Sequence, residues 1–349
     1  MYMFRKILPL AAVSLMIVCG CASTSDRYVI EEQGRSTLRY TFAKKKDTSA
    51  AQWAFARETQ NKGRLKKAEQ RMLYLVRRWP NSQEAPWAAR ARADILLEQG
   101  ELEKSFEAYQ FLIDNYSSRM RDYNSVLESQ LQIAKKIMVR RHMRLLFGGY
   151  LAPEYAIDYY EDAIRNGPQW AHAPEAQFLI GQCHQDNHDY ELAIAAYGLL
   201  GYRYPDSTYA EESAWQQIVC LGQLREEYPQ SPEILDRTLT RTTVFLSTYP
   251  DSKYKNQIIQ MRNDLYEVKA GRVFDEAAFY AKVPKEPAAA ILYYKSLVEE
   301  YPKSKLVPYA EQRIADLEAL MAQPIEARTA TTPRSKPLPF GKDSGNDAG

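Results

Sequence analysis

Residues 173–207 read APEAQFLIGQCHQDNHDYELAIAAYGLLGYRYPDS, and the spacing inside this stretch decides the fold. It closes on Tyr204-Pro205-Asp206-Ser207, an aromatic residue, a proline, a variable residue and a serine. Twelve residues before Pro205 stands Ala193, and twelve before that Gly181. The proline breaks one helix, and the serine can cap the next. Small residues twelve apart let two antiparallel helices approach closely, and a larger residue four after the second, here Tyr197, fills the gap on the same face.

The phrase recurs as Trp79-Pro80-Asn81-Ser82, Tyr228-Pro229-Gln230-Ser231, Tyr249-Pro250-Asp251-Ser252 and Tyr301-Pro302-Lys303-Ser304, and without its proline at Asn115-Tyr116-Ser117-Ser118. The count back repeats as Ala68 and Ala56 from Pro80, Ser105 and Ala93 from Ser117, Ala290 and Ala278 from Pro302, with Met72, Tyr109 and Tyr294 as fillers. From Pro168 it yields Ala156 and Tyr160 before breaking at Arg144. This is tetratricopeptide spacing, a helix–turn–helix unit of about 34 residues. Units 50–80, 84–117, 173–205 and 275–302 are clear; 119–168 and 207–250 are stretched or degenerate. The expected fold is all-α, with tetratricopeptide-type pairs over 49–322 stacking into a right-handed superhelical solenoid with a concave groove.

Bulk composition agrees. The 349 residues are 45% hydrophobic and 26% charged, too apolar for a disordered chain. With 15 glycines and no alternating Val/Ile/Thr runs, a sheet-rich fold is disfavoured. Neither a GxxxxGK[ST] nor a GxGxxG motif occurs, so nucleotide binding has no support.

Residues 1–20 have the parts of an export signal: Arg5 and Lys6, an apolar stretch from Ile7 to Val18, then small residues. Without Arg5 and Lys6, 44 basic residues face 44 acidic ones, a balance unlike that of nucleic-acid binders. Val18-Cys19-Gly20-Cys21 resembles a lipoprotein junction, in which the Cys21 thiol receives a diacylglycerol and cleavage follows Gly20. Ala22 to Asp26 opens a small, polar tether, assigned to residues 21–48, and Ala22 after the cysteine resembles the outer-membrane sorting pattern. Cys183 and Cys220 are expected as small buried residues, although an oxidising compartment would permit a disulfide.

Helix A of each unit lines the groove. In unit one its inner face carries Trp53, Arg57, Gln60 and Asn61; in unit two, Trp87, Arg90, Asp94 and Leu97. Trp53 and Trp87 lie 34 residues apart at equivalent places, which would make an aromatic trough for an extended or helical segment ending in an aromatic residue. The alternative is that both tryptophans are packing residues covered by segment 26–45. Residues 119–145 read as an extended helix with a basic stripe, Lys136, Arg140 and Arg144, facing lipid headgroups, an acidic partner or simply solvent, ahead of a break at Phe147-Gly148-Gly149-Tyr150. Residues 323–349 read as a disordered tail rich in Pro, Thr, Ser, Lys, Gly and Asp.

Catalysis finds no footing. His184 and His188, with Cys183, Asp186 and Asp189, have the makings of a weak metal site, but Asn187-His188-Asp189 falls in the turn between helices. His142 and His172 stand apart. No catalytic residue, cofactor or metal is therefore expected.

A lipoprotein signal followed by repeats punctuated with Tyr-Pro-x-Ser resembles the BamD family of outer-membrane β-barrel assembly lipoproteins. The likeness is carried by Phe245 to Tyr254, by Ala277-Ala278-Phe279-Tyr280, and by Ala289-Ala290 through Tyr293-Tyr294 to Tyr301-Pro302, and covers roughly 21–320. It implies a periplasmic scaffold docked on the periplasmic domains of the barrel-insertion protein and receiving unfolded outer-membrane proteins. Of the family's functional residues, only the lipidated cysteine carries over, as Cys21. A pilotin-like lipoprotein serving secretin or pilus assembly would share the anchor and the repeat.

Overall fold

The computed structural model describes residues 45–142, 149–282 and 287–322. Cys21, the signal 1–20, Arg144, Leu145, the Phe147-Gly148 part of the break and the tail 323–349 lie outside them. The described chain is an all-α array of tetratricopeptide-type helix–turn–helix pairs with one short hairpin. The helices are α1 (Ser49–Asn61), α2 (Leu65–Arg78), α3 (Ala85–Glu98), α4 (Leu102–Tyr116), α5 (Tyr123–Met138), α6 (Ile157–Asn166), α7 (Ala173–Asp186), α8 (Tyr190–Arg203), α9 (Ala210–Glu227), α10 (Pro232–Thr248), α11 (Lys255–Ala281), α12 (Pro287–Glu300) and α13 (Val307–Ala322). Two compact units divide at Leu200 and Gly201.

In the first unit the small residues do what their spacing implies. Ala56, Ala68, Ala93, Ser105 and Ala193 are wholly buried, and Met72, Tyr109, Tyr160 and Tyr197 fill the gaps at 1% exposure or less. Gly181 has no room for even a methyl group, since a Cβ there would stand 2.4 Å from Tyr197 Cε1. Seven residues after Ala56, Ala93 and Gly181 come Gly63, Gly100 and His188, with φ of 68°, 74° and 63°. The turn between paired helices needs a left-handed residue, which glycine supplies freely and histidine tolerates better than most. His188 is therefore off α7, with Nδ1 held 2.8 Å from the Tyr190 hydroxyl, while His184 stays on the helix. Cys183 and Cys220 are buried free thiols, each pushed up to about 12 by burial.

Four expectations change. First, the helix over 119–145 is shorter: α5 ends at Met138, and Arg141–His142 (β1) pairs antiparallel with Tyr150–Leu151 (β2). The pairing depends on Gly149, where a Cβ would lie 2.7 Å from the His142 carbonyl oxygen. The basic stripe dissolves, because Arg140 has left the helix and pairs with Glu103 at 2.5 Å. Second, the serines of the repeated phrase are mostly not caps. Ser207, Ser252 and Ser304 accept from the backbone N–H two residues on, closing a tight turn before the next helix, and only Ser231 accepts from the N–H three on, Ile234. Third, Tyr228 to Ser231 joins α9 to α10 inside a pair, so that phrase does not close a repeat. Fourth, in the last pair Ala277, not Ala278, is the fully buried partner of Ala290, in phase with Phe274, whose ring packs on Tyr294.

The stretched unit is closed by amides. Gln130, fully buried, donates to Gln110 Oε1 at 3.0 Å. Asn166 Nδ2 donates to Gln110 Oε1 at 2.7 Å and to Gln130 Oε1 at 3.0 Å, and Asn166 Oδ1 accepts from Gln110 Nε2 at 3.2 Å. This network ties α4, α5 and the end of α6 together.

Candidate functional site

The tryptophan strip is built on α1 and α3, the first helices of the first two pairs. On α1 the buried side is Gln52, Ala56 and Thr59, which turns Trp53 and Arg57 away from the α2 contact. α3 is buried on two sides, by Pro86, Ala89, Ala93 and Leu96 on one and by Ala88, Ala91 and Ile95 on the other, which leaves Trp87, Arg90 and Asp94 as a narrow strip between them.

The two indoles meet with ring centroids 6.3 Å apart and planes at 51°. They are not equivalent residues, however. The structural repeat here is 37 residues, as Gly63 and Gly100 mark, so the counterpart of Trp53 is Arg90, and Trp87 sits about one turn earlier. The rings touch along a diagonal between helices. Trp87 keeps 40% of its surface exposed, and Trp53 is half-buried. The Arg57 guanidinium lies 5.6 Å over the Trp53 ring and donates to Gln60 Oε1 at 2.8 Å.

Arg90 continues the strip toward the third pair. It donates to Ser125 Oγ at 2.7 Å and stands 4.0 Å from Asp94 Oδ2 and 3.9 Å from Asp122 Oδ2. Asp94 in turn accepts from the Tyr109 hydroxyl at 2.5 Å. That hydroxyl is held well above its ordinary pKa, by burial first and by the Asp94 charge second, and so stays protonated. This hydroxyl–carboxylate contact is a structural bond between α3 and α4.

The structure thus brings together Trp53, Arg57, Trp87, Arg90 and Asp94. Asn61 is exposed at the end of α1, and Leu97 is half-buried against the core. Asp122 and Ser125 join from the start of α5, and spacing did not reveal them because their unit lacks the regular repeat. An exposed indole beside two guanidiniums and two carboxylates offers stacking and paired ionic contacts to an extended chain.

Comparison with known proteins points to the other half of the molecule. A family model described as YfiO, outer membrane lipoprotein, matches residues 170–332, clear of the tryptophan strip. Outer membrane protein assembly factor BamD of Pasteurella multocida (strain Pm70) is 24% identical over 153 residues, which is 43% of this chain and 55% of that protein. The chain therefore spans about half the length of the relative it matches. Among solved structures it is similar to YrrB, a TPR protein with an unusual peptide-binding site, at 11% identity over 65% of this chain and 94% of that one, with a TM-score of 0.28. A tetratricopeptide repeat protein from Parabacteroides merdae gives 12% identity, coverage of 77% and 98%, and a TM-score of 0.28. Superpositions this loose carry no functional argument.

Proposed function

We propose that this chain is a lipid-anchored scaffold of outer-membrane protein assembly, held by acylated Cys21 on the periplasmic face of the outer membrane. The observation that carries the reading is the likeness of residues 170–332 to an outer membrane lipoprotein family, following an N-terminus with a lipoprotein junction. In this reading the barrel-insertion protein is the resident partner, bound through its periplasmic domains, and unfolded outer-membrane proteins are the clients. The chain acts by binding and catalyses nothing.

Affinity purification of the tagged chain from detergent-solubilised envelopes is the direct test. Recovery of the barrel-insertion protein supports the assembly role. Recovery of a secretin in its place would transfer the chain to the pilotin-like class.

The client surface assigned to the strip has its own test. A peptide copying the last ten or so residues of an outer-membrane barrel strand, with its terminal aromatic, should bind the parent chain. Trp87→Ala with Arg90→Ala should weaken it about 10–100-fold, the range of an aromatic–arginine anchor pair. Helix content by circular dichroism should hold, because both side chains are partly exposed. Unchanged affinity would leave the tryptophans as packing residues.

A further inference from the structure

The first helical pair carries a charge the rest of the chain does not. Residues 45–78 hold ten basic and three acidic residues, while the whole chain is only +2, so the remainder is net acidic. Most of the excess lies on one surface of α2. Its buried side is Ala68, Glu69, Met72, Leu75 and Val76. At 100° per residue, Lys66, Lys67, Arg71, Arg77 and Arg78 fall on an arc roughly 140° wide that contains no carboxylate of α2; Lys66, Lys67 and Arg78 are exposed on it, Arg71 and Arg77 are half-buried, and Tyr74 lies buried between them with Lys45 over its ring. Glu69, the acid of this helix, is turned inward and accepts from Arg92 Nε at 3.0 Å.

The chain also enters the unit beside this surface. Lys45 lies 5.8 Å over the Tyr74 ring, and Phe55 is flanked by Lys46 at 5.0 Å and Arg71 at 3.6 Å. The described chain therefore begins against α2, and the 24 residues from Cys21 to Lys45 can reach at most about 80 Å. A solvated helix face has no need of three exposed cations, Lys66, Lys67 and Arg78, with no acid of α2 between them, since alternating signs serve solubility better.

We infer that the outer face of α2 lies flat on an anionic phospholipid surface, with the exposed Lys66, Lys67 and Arg78 over the headgroup phosphates. The inference leans on the anchored reading for its geometry, and its test is made without the anchor. A helix segment from residue 66 to 78 is about 18 Å long, enough to place its three exposed cations within a Debye length of the surface together. The contact would fix which side of the first pair faces the bilayer and leave the tryptophan strip on α1 and α3 free for a ligand.

The chain from residue 21 onward, carrying Cys21→Ser so that no acyl group forms, is sedimented with vesicles of phosphatidylcholine alone or with 30% phosphatidylglycerol. Binding is expected only to the anionic vesicles and should be released by 0.5 M salt. Each neutralised cation should weaken it about fivefold, so Lys66→Gln, Lys67→Gln and Arg78→Gln together should cost on the order of 100-fold. These are exposed helical positions where glutamine keeps the helix, which circular dichroism checks. Removing three exposed lysines elsewhere, Lys255→Gln, Lys303→Gln and Lys305→Gln, should leave binding within about twofold of the parent. Equal loss in both triple variants would mean net charge alone and overturn the inference. So would failure to bind anionic vesicles while polyglutamate is captured in an α2-dependent way, which would give the face to an acidic protein.

Discussion

Tyr197→Ala is expected to cost about 3–5 kcal/mol of folding stability, among the largest effects of any single substitution in this chain. The ring is fully buried, lies against Gly181, packs on Phe178 at 5.4 Å between centroids and donates its hydroxyl to Gln185 at 2.7 Å. Truncation empties the gap between α7 and α8 and cuts the hydroxyl contact. The complementary change, Gly181→Ala, would gain about 1 kcal/mol from helix propensity alone. It should nevertheless destabilise by about 1–3 kcal/mol, because the new methyl would stand 2.4 Å from a ring held on its other side. Urea unfolding of both variants and of the double variant forms a cycle. The double variant should be more stable than the sum of the singles, since the methyl then occupies space the ring has vacated. Additivity would show that the two residues do not share one gap, and the spacing argument for the fold would lose its physical basis.

That pairing explains why so much of the fold was legible. A position where two helix backbones nearly touch admits only Gly, Ala or Ser, and the filler beside it must be large; Ala56 with Met72, Ala93 with Tyr109 and Gly181 with Tyr197 obey both conditions. Where the constraint is weaker, reading by spacing slips. In α11 both Ala277 and Ala278 are small, and only the packing of Phe274 on Tyr294, 5.2 Å apart, picks Ala277. The tryptophans mislead for another reason. A 34-residue count makes Trp53 and Trp87 equivalent, but this protein's first step is 37, which the spacing of Ala56 to Ala93 and of Ala68 to Ser105 already carries and the left-handed turns at Gly63 and Gly100 repeat. The strip was still half legible, because an exposed indole and arginines on a first helix are conspicuous wherever the register falls. Asp122 and Ser125 were not, since they sit after an irregular turn at Ser117–Arg119 that no repeat rule describes.

The hardest region to read, residues 119–168, also gives the second large prediction. Gln110→Ala should cost about 3–5 kcal/mol. Gln110 comes from α4 and is 7% exposed, and its amide is the hub of the network. Its loss takes the acceptor from Gln130 Nε2, which is wholly buried, and the donor from Asn166 Oδ1. Each stranded polar group costs about 1–3 kcal/mol, and the vacated volume adds to that. Replacing Gln110, Gln130 and Asn166 all by leucine should be milder than the single change, because no polar group is then left without a partner. Chemical denaturation of the two variants decides the matter. If the triple variant is the worse folded, the amides are needed for the geometry they impose, holding three helices at distances that leucines do not reproduce. If Gln110→Ala costs less than about 1 kcal/mol, water has replaced the lost partners, and the network cannot be what closes this unit. The ordinary repeat closes itself with a small residue and a ring; here α5 is cut short by the β1–β2 hairpin, and amides from α4, α5 and α6, 20 to 56 residues apart, take over that task. Polar residues so far apart carry no periodic signal, which is why only the folded chain shows them together.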